Sequence, residues 1–428
     1  AMGQVLLNSR QQLPDVAEIE RANREREHRI ADASLREIRF NEDLQRLRDL
    51  DGQVDERLAT LPPAEVTPEL RAQVREQLER QRELLGQAQE ANQAYLRLLG
   101  ELDFAAQELL RTVNAYRDFL AQHLLWTRSA PPVMGLDAFT SVPRALTWLL
   151  SPAHWLQVGQ VLLYEASGSP IFWITLVPLA WLLFRQGFYR RAILNGAERL
   201  RRVQTDSFRH TLAGLAYTLL LALGWPLLMA DLGWRLEVSP AATAFTKGVG
   251  FALISVSSGF FSLRFFKLLC MPGGVADRHF RWTGSVLSLI RRILTWASAL
   301  LVPIGFVVAL LFADPNATFG LGLQRLSLIA LMLGLTLFLA RLIHPTQGVL
   351  QNYLALHPEG WPNRLRLFWY FGILAIPLGL SALALAGFVY TAATLFGSLV
   401  KQLWLILILV ILQQSILRWL GVTHRRLA

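Results

Sequence analysis

The chain has few side chains in arrangements that could support covalent or metal chemistry. Its single cysteine, Cys270, rules out a disulfide framework and a cysteine-based metal site. The eight histidines lack the close spacing of metal ligands, and His210 stands alone at the start of an apolar segment. Met271–Gly274 is a turn without the Lys-Ser/Thr ending of a nucleotide-binding loop. We therefore expect no catalytic residue, no cofactor, no metal site and no enzyme.

Ionisable groups that could couple to ion movement are also scarce within the apolar segments. Asp231 and Asp314 fall at segment ends, where we expect their carboxylates to stay in contact with water. A proton- or cation-coupled transporter usually needs a carboxylate or histidine within the membrane. Lys247 and Lys401 are the charges nearest to membrane depth. The favoured interpretation is that they snorkel to the periplasmic face, and the alternative is a functional charge at a helix interface.

One group of charges resembles a binding site. Five cations flank the third and fourth apolar segments, with three aromatic residues beside them in sequence: Arg264, Lys267, Arg281, Arg291 and Arg292, with Phe265, Phe266 and Trp282. The favoured interpretation is a solvated, positively charged membrane face. The alternative is a pocket for an anionic lipid headgroup at the inner leaflet, because basic pockets between helices bind such groups.

The apolar segments that would position these charges all follow residue 168. Seven are long enough to cross a bilayer, and we place them near 169–186, 210–232, 244–266, 290–313, 324–343, 367–388 and 391–418. The first is short and contains Pro178, and the last is long enough to tilt or bend. In the third, Gly248, Gly250 and Gly259 favour close helix packing over the alternative of a substrate-binding break.

Basic residues between these segments alternate from loop to loop. One set of loops, with the C-terminal end, carries 19 of them and the other carries 3, so the positive-inside rule places the C-terminus in the cytoplasm and the N-terminal part outside. Residues 1–168 have a net charge of −6 and residues 169–428 one of +16. The overall +10 is the sum of an acidic arm and a basic membrane part, and it does not indicate nucleic-acid binding. An external arm implies a signal peptide that was removed or lies upstream.

Residues 1–130 are predicted to form a long antiparallel helical hairpin of coiled-coil type. A heptad seam runs through its second half at Val74, Leu78, Gln81, Leu85, Ala88, Asn92, Tyr95, Leu99, Leu102, Ala106, Leu109, Val113, Tyr116 and Leu120. Leu61-Pro62-Pro63 separates the two arms, because proline cannot continue a helix. Residues 131–168 are predicted to be a linker and two interfacial amphipathic helices that begin near Ser141 and Ser151.

This organisation resembles the large mechanosensitive channels of the MscS superfamily, of the potassium-dependent MscK and MscM type. Four stretches carry the resemblance: Trp126–Pro132, Thr147–Trp155, Arg190–Arg202 and Phe388–Arg426. The family continues into further spans, a Gly/Ala-rich pore helix and a cytoplasmic vestibule, none of which is found in these 428 residues. The resemblance therefore implies that 169–428 is the tension-sensing periphery, from a chain that is truncated or incompletely resolved.

The fold class we expect is all-α, with the hairpin followed by a polytopic membrane domain. The resemblance implies a homoheptameric channel of a Gram-negative inner membrane that releases ions and small solutes on hypo-osmotic shock, with membrane lipids as partners. Two alternatives remain: a component of a transporter or flippase, and an envelope scaffold or sensor whose periplasmic arm contacts other proteins.

Overall fold

The structure is a computed structural model that describes residues 16–59, 66–128, 142–199, 208–313, 321–351 and 359–427, with the single positions 6, 9, 13, 14 and 354. Every regular element in these residues is a helix. The predicted proline break at 61–63, most of the linker and Asp314 lie outside the described residues. The chain divides into two compact units, one of residues 5–123 and one that contains residues 124–428.

The first unit is built from α1 (Val16–Arg46), α2 (Leu50–Leu58) and most of α3 (Pro68–Trp126). The predicted antiparallel course of α1 and α3 is visible in their contacts. Arg26 pairs with Asp103 at 3.6 Å, while Asn92 Nδ2 donates to the Ala33 carbonyl at 3.0 Å, so numbers rise on one helix as they fall on the other. Near the loop, Leu47, Val54, Leu58 and Leu78 form a buried apolar cluster.

The predicted seam of α3 is correct at one of its two heptad positions. Leu78, Leu99, Val113 and Leu120 are buried, as expected. The other position, represented by Tyr95, Leu102, Leu109 and Tyr116, is between 38% and 57% exposed. A single antiparallel partner covers only a narrow stripe of a helix. Leu96, Asp103 and Leu110, each one residue after a member of this exposed position, are partly buried instead.

The second unit begins with short helices and continues with long ones. Its helices are α4 (Val142–Leu149), α5 (Pro152–Gly168), α6 (Pro170–Phe184), α7 (Gln186–Arg199), α8 (Phe208–Val238), α9 (Ala244–Leu269), α10 (Val275–Arg278), α11 (Gly284–Ala313), α12 (Leu321–Leu342), α13 (Trp361–Arg364), α14 (Arg366–Leu385) and α15 (Val389–Leu427). The long helices pack in chain order, each against the next. Within the described residues, six helices are long and apolar enough to cross a membrane: α8, α9, α11, α12, α14 and α15.

The first predicted span, 169–186, does not form a span by itself. Its helix α6 has 15 residues and is about 22 Å long at ~1.5 Å per residue, less than the hydrocarbon core. The chain bends by 102° where α6 follows α5, and the described residues provide a seventh span only if this bent pair counts as one. The bend arises at Ser169, whose backbone is extended, and at Pro170, which has no N–H to continue α5.

The glycines of α9 act mainly through packing, as predicted. A Cβ on Gly250 would lie 2.5 Å from the Gly233 carbonyl oxygen of α8, and a Cβ on Gly248 would lie 3.0 Å from Leu310 Cδ1 of α11. Gly250 therefore allows the α8 and α9 backbones to approach closely. Gly259 differs, because a Cβ there would meet nothing within 4 Å.

Candidate functional site

A buried polar junction joins the short helices α5 and α6 to the adjoining ends of α8 and α9. Helix α8 ends at Val238, since Pro240 cannot extend it, and α9 begins after Thr243, whose side chain caps it by accepting from the Thr246 N–H. This tight connection places the last turn of α8 and the first turn of α9 next to each other, where both can contact α5.

The centre of this junction is an ion pair on α8. Arg235 Nε lies 3.0 Å from Asp231 Oδ2, one helical turn away. The Arg235 side chain is 2% exposed and that of Asp231 is 11% exposed. Buried charges of this kind persist only when paired and hydrogen-bonded, so the surrounding contacts decide whether the pair is stable.

Helix α6 supplies those contacts. Arg235 Nη2 donates to the carbonyl oxygens of Ile171 at 3.1 Å and Phe172 at 3.4 Å, and it also donates to the Thr175 hydroxyl. Thr175 Oγ1 in turn donates to Asp231 Oδ1 at 2.8 Å. The Phe172 ring centroid lies 4.7 Å from the guanidinium carbon, a cation–π contact. The pair therefore fixes the first turn of α6 against α8.

Helix α5 is attached by two further hydrogen bonds. Ser239 Oγ donates to Glu165 Oε1 at 2.7 Å, and Thr243 Oγ1 donates to Gln157 Oε1 at 3.2 Å. A partly open cavity of about 400 Å³ lies beside the first of these bonds, lined in part by Glu165, Arg235 and Ser239. The polar contacts thus reach from the middle of α5 to the first turn of α6.

Aromatic packing continues the junction toward α4. Trp148, His154 and Trp155 surround the buried Phe245 ring of α9, with centroid distances of 5.1, 4.9 and 5.7 Å. Trp155 Nε1 donates to the Leu149 carbonyl at 2.8 Å, which satisfies its polar atom. One face of the predicted interfacial pair is therefore packed on the ends of the long helices.

The expectation that Asp231 stays in contact with water was wrong. The predicted span ended at residue 232, whereas α8 continues to Val238 and carries both Asp231 and Arg235 inside the packed part. The i,i+4 spacing of an acid and an arginine was a signal that could have revealed the pair. The burial of this pair could not be predicted from the sequence of α8, because it depends on Ile171, Phe172 and Thr175 of another helix.

The other predicted site residues are distributed at the opposite ends of α9 and α11 or on exposed faces. Arg264 and Lys267 lie on the last turns of α9, Arg291 and Arg292 on α11, and Arg281 in the loop between them. Arg264 is half-buried, and its Nε has no hydrogen-bond partner among the described residues. Lys247, on the first turn of α9, and Lys401, within α15, are exposed. The structure leaves the headgroup pocket and both lysine interpretations as predictions.

Two apolar grooves open between the long helices. One, of about 310 Å³, lies between α9, α11, α12 and α15, and its wall includes Gly259, Phe338 and Trp404. The other, of about 670 Å³, lies between α8, α9 and α15, and its wall includes Phe265 and Trp419. Both are lined almost entirely by apolar side chains, which suits hydrocarbon better than a polar solute.

Nothing at the junction points to bond-making chemistry. Asp231 and Arg235 neutralise each other, and no group of three or more His, Cys, Asp or Glu side chains that could hold a metal occurs within the described residues. What the arrangement can do is mechanical: it holds α5 and α6 in a fixed relation to α8 and α9. The fold and this site define a polytopic α-helical membrane protein whose bent helix pair is packed and hydrogen-bonded against two long helices.

Comparison with known proteins identifies the family. The family model described as mechanosensitive ion channel inner membrane domain 1 matches residues 169–428, and the chain belongs to this family, within the MscS superfamily of mechanosensitive channels. The resemblance noted in the sequence is therefore confirmed.

Two curated relatives, both channels from Escherichia coli (strain K12), are similar to the chain. The mechanosensitive channel MscK is 26% identical over 442 residues, which covers 100% of this chain and 37% of the relative. The miniconductance mechanosensitive channel MscM is 24% identical over 365 residues, which covers 82% of this chain and 32% of the relative. The chain spans about a third of the length of these relatives.

Proposed function

We propose that this chain is the lipid-facing, tension-sensing part of a mechanosensitive channel subunit in a Gram-negative inner membrane. The channel would open under bilayer tension and release ions and small solutes on hypo-osmotic shock. The observation that supports this role is α15: none of its most apolar 18-residue window is buried within the chain. Such a helix needs acyl chains or another subunit to cover it, and the two grooves beside it are places where bilayer lipid meets the protein.

Tension acts on such a protein by population shift. The state with the larger in-plane area gains free energy as tension rises, so helices that change their lateral packing convert bilayer stretch into a conformational change. In this proposal the junction at Asp231 and Arg235 transmits force between the bent α5–α6 pair and the long helices. The arm is a periplasmic coiled coil, the C-terminal end of α15 is cytoplasmic, and the complete assembly is a homoheptamer.

The test is patch-clamp recording of the full-length protein in spheroplasts. We expect suction to open a conductance, and we expect Asp231→Asn to change the pressure threshold while the unitary conductance stays the same. Glu237→Gln, an acid-to-amide change at an exposed position of α8, is the matched control. A conductance that does not respond to suction, or no conductance at all, rules out a mechanosensitive channel. An unchanged threshold in Asp231→Asn would mean that the junction plays no part in sensing tension, while the channel proposal itself would stand.

The buried carboxylate of Asp231 gives little support to the transporter or flippase alternative. Asp231 is engaged by Arg235 and Thr175, so its oxygens already have partners and are poorly placed to carry a proton or a cation. Substrate-dependent flux into vesicles without applied tension would favour this alternative over a channel.

A further inference from the structure

A polar cavity lies near the start of α8, at the opposite end of this helix from Asp231 and Arg235. It has a volume of about 460 Å³ and is lined by α7, the first turns of α8 and the residue that follows α10. Its polar lining side chains are Arg191 and Asn195 of α7, His210 and Tyr217 of α8, and His279. None of the described residues that line it carries a carboxylate, so the cavity favours a ligand that accepts hydrogen bonds and is negatively charged.

The wall formed by α7 is fixed by apolar packing. Tyr189 and Ile193 of α7 are 5% and 2% exposed and share a buried cluster with Leu221 of α8 and Met271. The rings of Tyr189 and Tyr217 stack with their centroids 6.3 Å apart. The two polar lining residues of α7 therefore stand on a helix whose position relative to α8 is set by buried contacts.

His279 is held beside α8 by a hydrogen bond and by the absence of a side chain at Gly214. It is 3% exposed, and its Nδ1 lies 2.9 Å from Thr211 Oγ1. The Thr211 hydroxyl can donate or accept, so it can bond to either form of the ring. A Cβ on Gly214 would lie 3.1 Å from Val275 Cγ2 and 3.5 Å from His279 Nε2, so glycine leaves room for α10 and the imidazole. This imidazole therefore has a fixed place in the cavity wall.

His210, which also lines the cavity, has an unsatisfied polar atom. Its Nδ1 is buried and has no hydrogen-bond partner among the described residues. Such an atom costs free energy in the folded state, and a ligand within reach of the ring recovers part of that cost. His210 and His279 are far apart in the sequence, so only the fold shows that one cavity holds both imidazoles.

We propose that this cavity binds a phosphate-type anion. Arg191 supplies a guanidinium, whose paired N–H donors match phosphate oxygens, while the Asn195 amide and the His210 imidazole supply further donors. Residues 185–210 contain seven arginines and two acidic residues, a net charge of +5, which raises the local concentration of anions. The positive-inside rule accounts for the arginines, but not for a cavity in which amide, phenol and imidazole groups meet one of them.

The anion is a soluble one, inorganic phosphate or a small phosphorylated solute, and not a lipid headgroup. The cavity shares no lining residue with either apolar groove, so a lipid bound here would have neither groove for its acyl chains. Asn195 and His210 belong to the last turn of α7 and the first turn of α8, so the anion would join the ends of these two helices. In the proposed topology this end faces the cytoplasm, which makes the ligand a cytoplasmic solute.

Histidine NMR of the full chain in detergent tests this inference without channel activity, so its failure leaves the proposed function standing. The chain is labelled with carbon-13 at Cε1 of histidine, and the His210 signal is assigned by its loss in His210→Gln. We expect sodium phosphate at pH 7 and constant ionic strength to shift this signal saturably. The signal of His154, which packs on Phe245 at the far end of α9, should not move.

Two single variants separate the cavity from general positive charge. Arg191→Gln should weaken the apparent phosphate affinity by about tenfold, the usual effect of losing a hydrogen bond to a charged group. Arg190→Gln, the matched control, removes an exposed neighbouring charge that does not line the cavity and should leave the affinity unchanged. Phosphate should also raise the Tm of the wild type and of Arg190→Gln more than that of Arg191→Gln.

Three outcomes overturn the inference. The first is a His210 signal that does not shift saturably with phosphate. The second is equal weakening by Arg190→Gln, which would mean that diffuse positive charge and not the cavity attracts the anion. The third is a shift that appears with phosphatidylglycerol in nanodiscs but not with inorganic phosphate, because a lipid headgroup then occupies the cavity.

Discussion

Thr175 of α6 donates a hydrogen bond to Asp231 of α8, with an Oγ1–Oδ1 distance of 2.8 Å, across 56 residues of sequence. This bond completes the buried network around Arg235, which would otherwise rely on one carboxylate and two backbone carbonyls. Because Thr175 lies past the 102° bend, the bond ties the bent pair to a long helix. The orientation of α6 therefore depends on polar contacts as well as on apolar packing.

The first prediction concerns this ion pair. Asp231→Leu alone leaves the Arg235 guanidinium buried without its carboxylate and should lower the free energy of unfolding by about 3–5 kcal/mol. Arg235→Met alone should cost a similar amount. The double variant should cost clearly less than the sum of the two, because neither charge then remains buried and unpaired. Unfolding by denaturant in detergent micelles measures this cycle, and strictly additive costs would contradict a direct pair.

The second prediction compares two glycines of α9. Gly250→Ala should destabilise the protein by about 1–3 kcal/mol, because the new methyl group collides with the Gly233 carbonyl oxygen and the two helices must separate. Gly259→Ala should leave stability unchanged or raise it by up to about 1 kcal/mol, since nothing lies within 4 Å of the new methyl group and Ala favours a helix over Gly. Thermal unfolding of both variants in the same detergent gives the comparison. Similar losses in both variants would mean that the close approach of Gly250 to Gly233 does not decide the cost.

The contrast between these glycines shows what the sequence could and could not predict. Small residues in an apolar segment predict close packing as a class, and this was correct for Gly248 and Gly250. Which glycine meets a backbone depends on the crossing point of α8 and α9, and no pattern within α9 encodes it. The same reason explains Asp231: its spacing to Arg235 is local, but its burial depends on α6.

The heptad seam of α3 was also only partly predictable from sequence. Apolar spacing correctly indicated a long helix with a helical partner. The predicted seam, however, combined a buried heptad position with an exposed one. Leu99 and Val113 are buried, whereas Leu102 and Leu109 are exposed. A continuous apolar pattern does not say how many partners share it. The bend at Ser169–Pro170 was likewise missed, because length and hydropathy alone made 169–186 resemble a short span.

The third prediction is a pH dependence of the hairpin. Hydrogen bonds from Gln93, and then from Asn92, lower the pKa of Glu37 below its usual range. A lowered pKa in the folded state means that the stabilisation is present above the unfolded pKa of about 4.3 and is lost as the pH falls through the folded value. The hairpin should therefore unfold more easily in urea at acidic pH. Glu37→Gln should be less stable than the wild type at pH 7 but not once the carboxyl is protonated.

A fluorescent donor and acceptor at Gln45→Cys and Gln87→Cys would report separation of α1 and α3, since both positions are exposed. The difference between the wild type and Glu37→Gln should narrow as the pH is lowered through the acidic range. A difference that stays constant with pH would show that the Glu37 carboxylate plays no part.

The fourth prediction concerns the single cysteine. Cys270 is fully buried in the turn after α9, and this burial raises the pKa of its thiol to about 12, although the nearby Arg291 charge opposes the rise. Maleimides react with the thiolate, whose fraction at neutral pH is then roughly a thousandfold below that of an ordinary thiol. The native chain should stay unlabelled, while Gln107→Cys should add one rapidly labelled site. Rapid native labelling of Cys270 would mean that the turn opens readily.

The last prediction tests the five-cation group as a headgroup site. Arg264 is the strongest candidate, because its side chain is half-buried and its Nε has no hydrogen-bond partner among the described residues. The next residue in the chain, Phe265, lines the larger groove. A phosphate oxygen at this position would satisfy that nitrogen, and acyl chains would fill the apolar groove.

Replacing Arg264, Lys267 and Arg281 together with Gln should reduce the anionic lipid retained in native mass spectrometry. The matched control removes Arg190, Arg191 and Arg278, which are exposed and should release little lipid. Equal retention in both variants would mean that these three cations set topology and hold no headgroup, whereas a loss confined to the first variant assigns them the binding role.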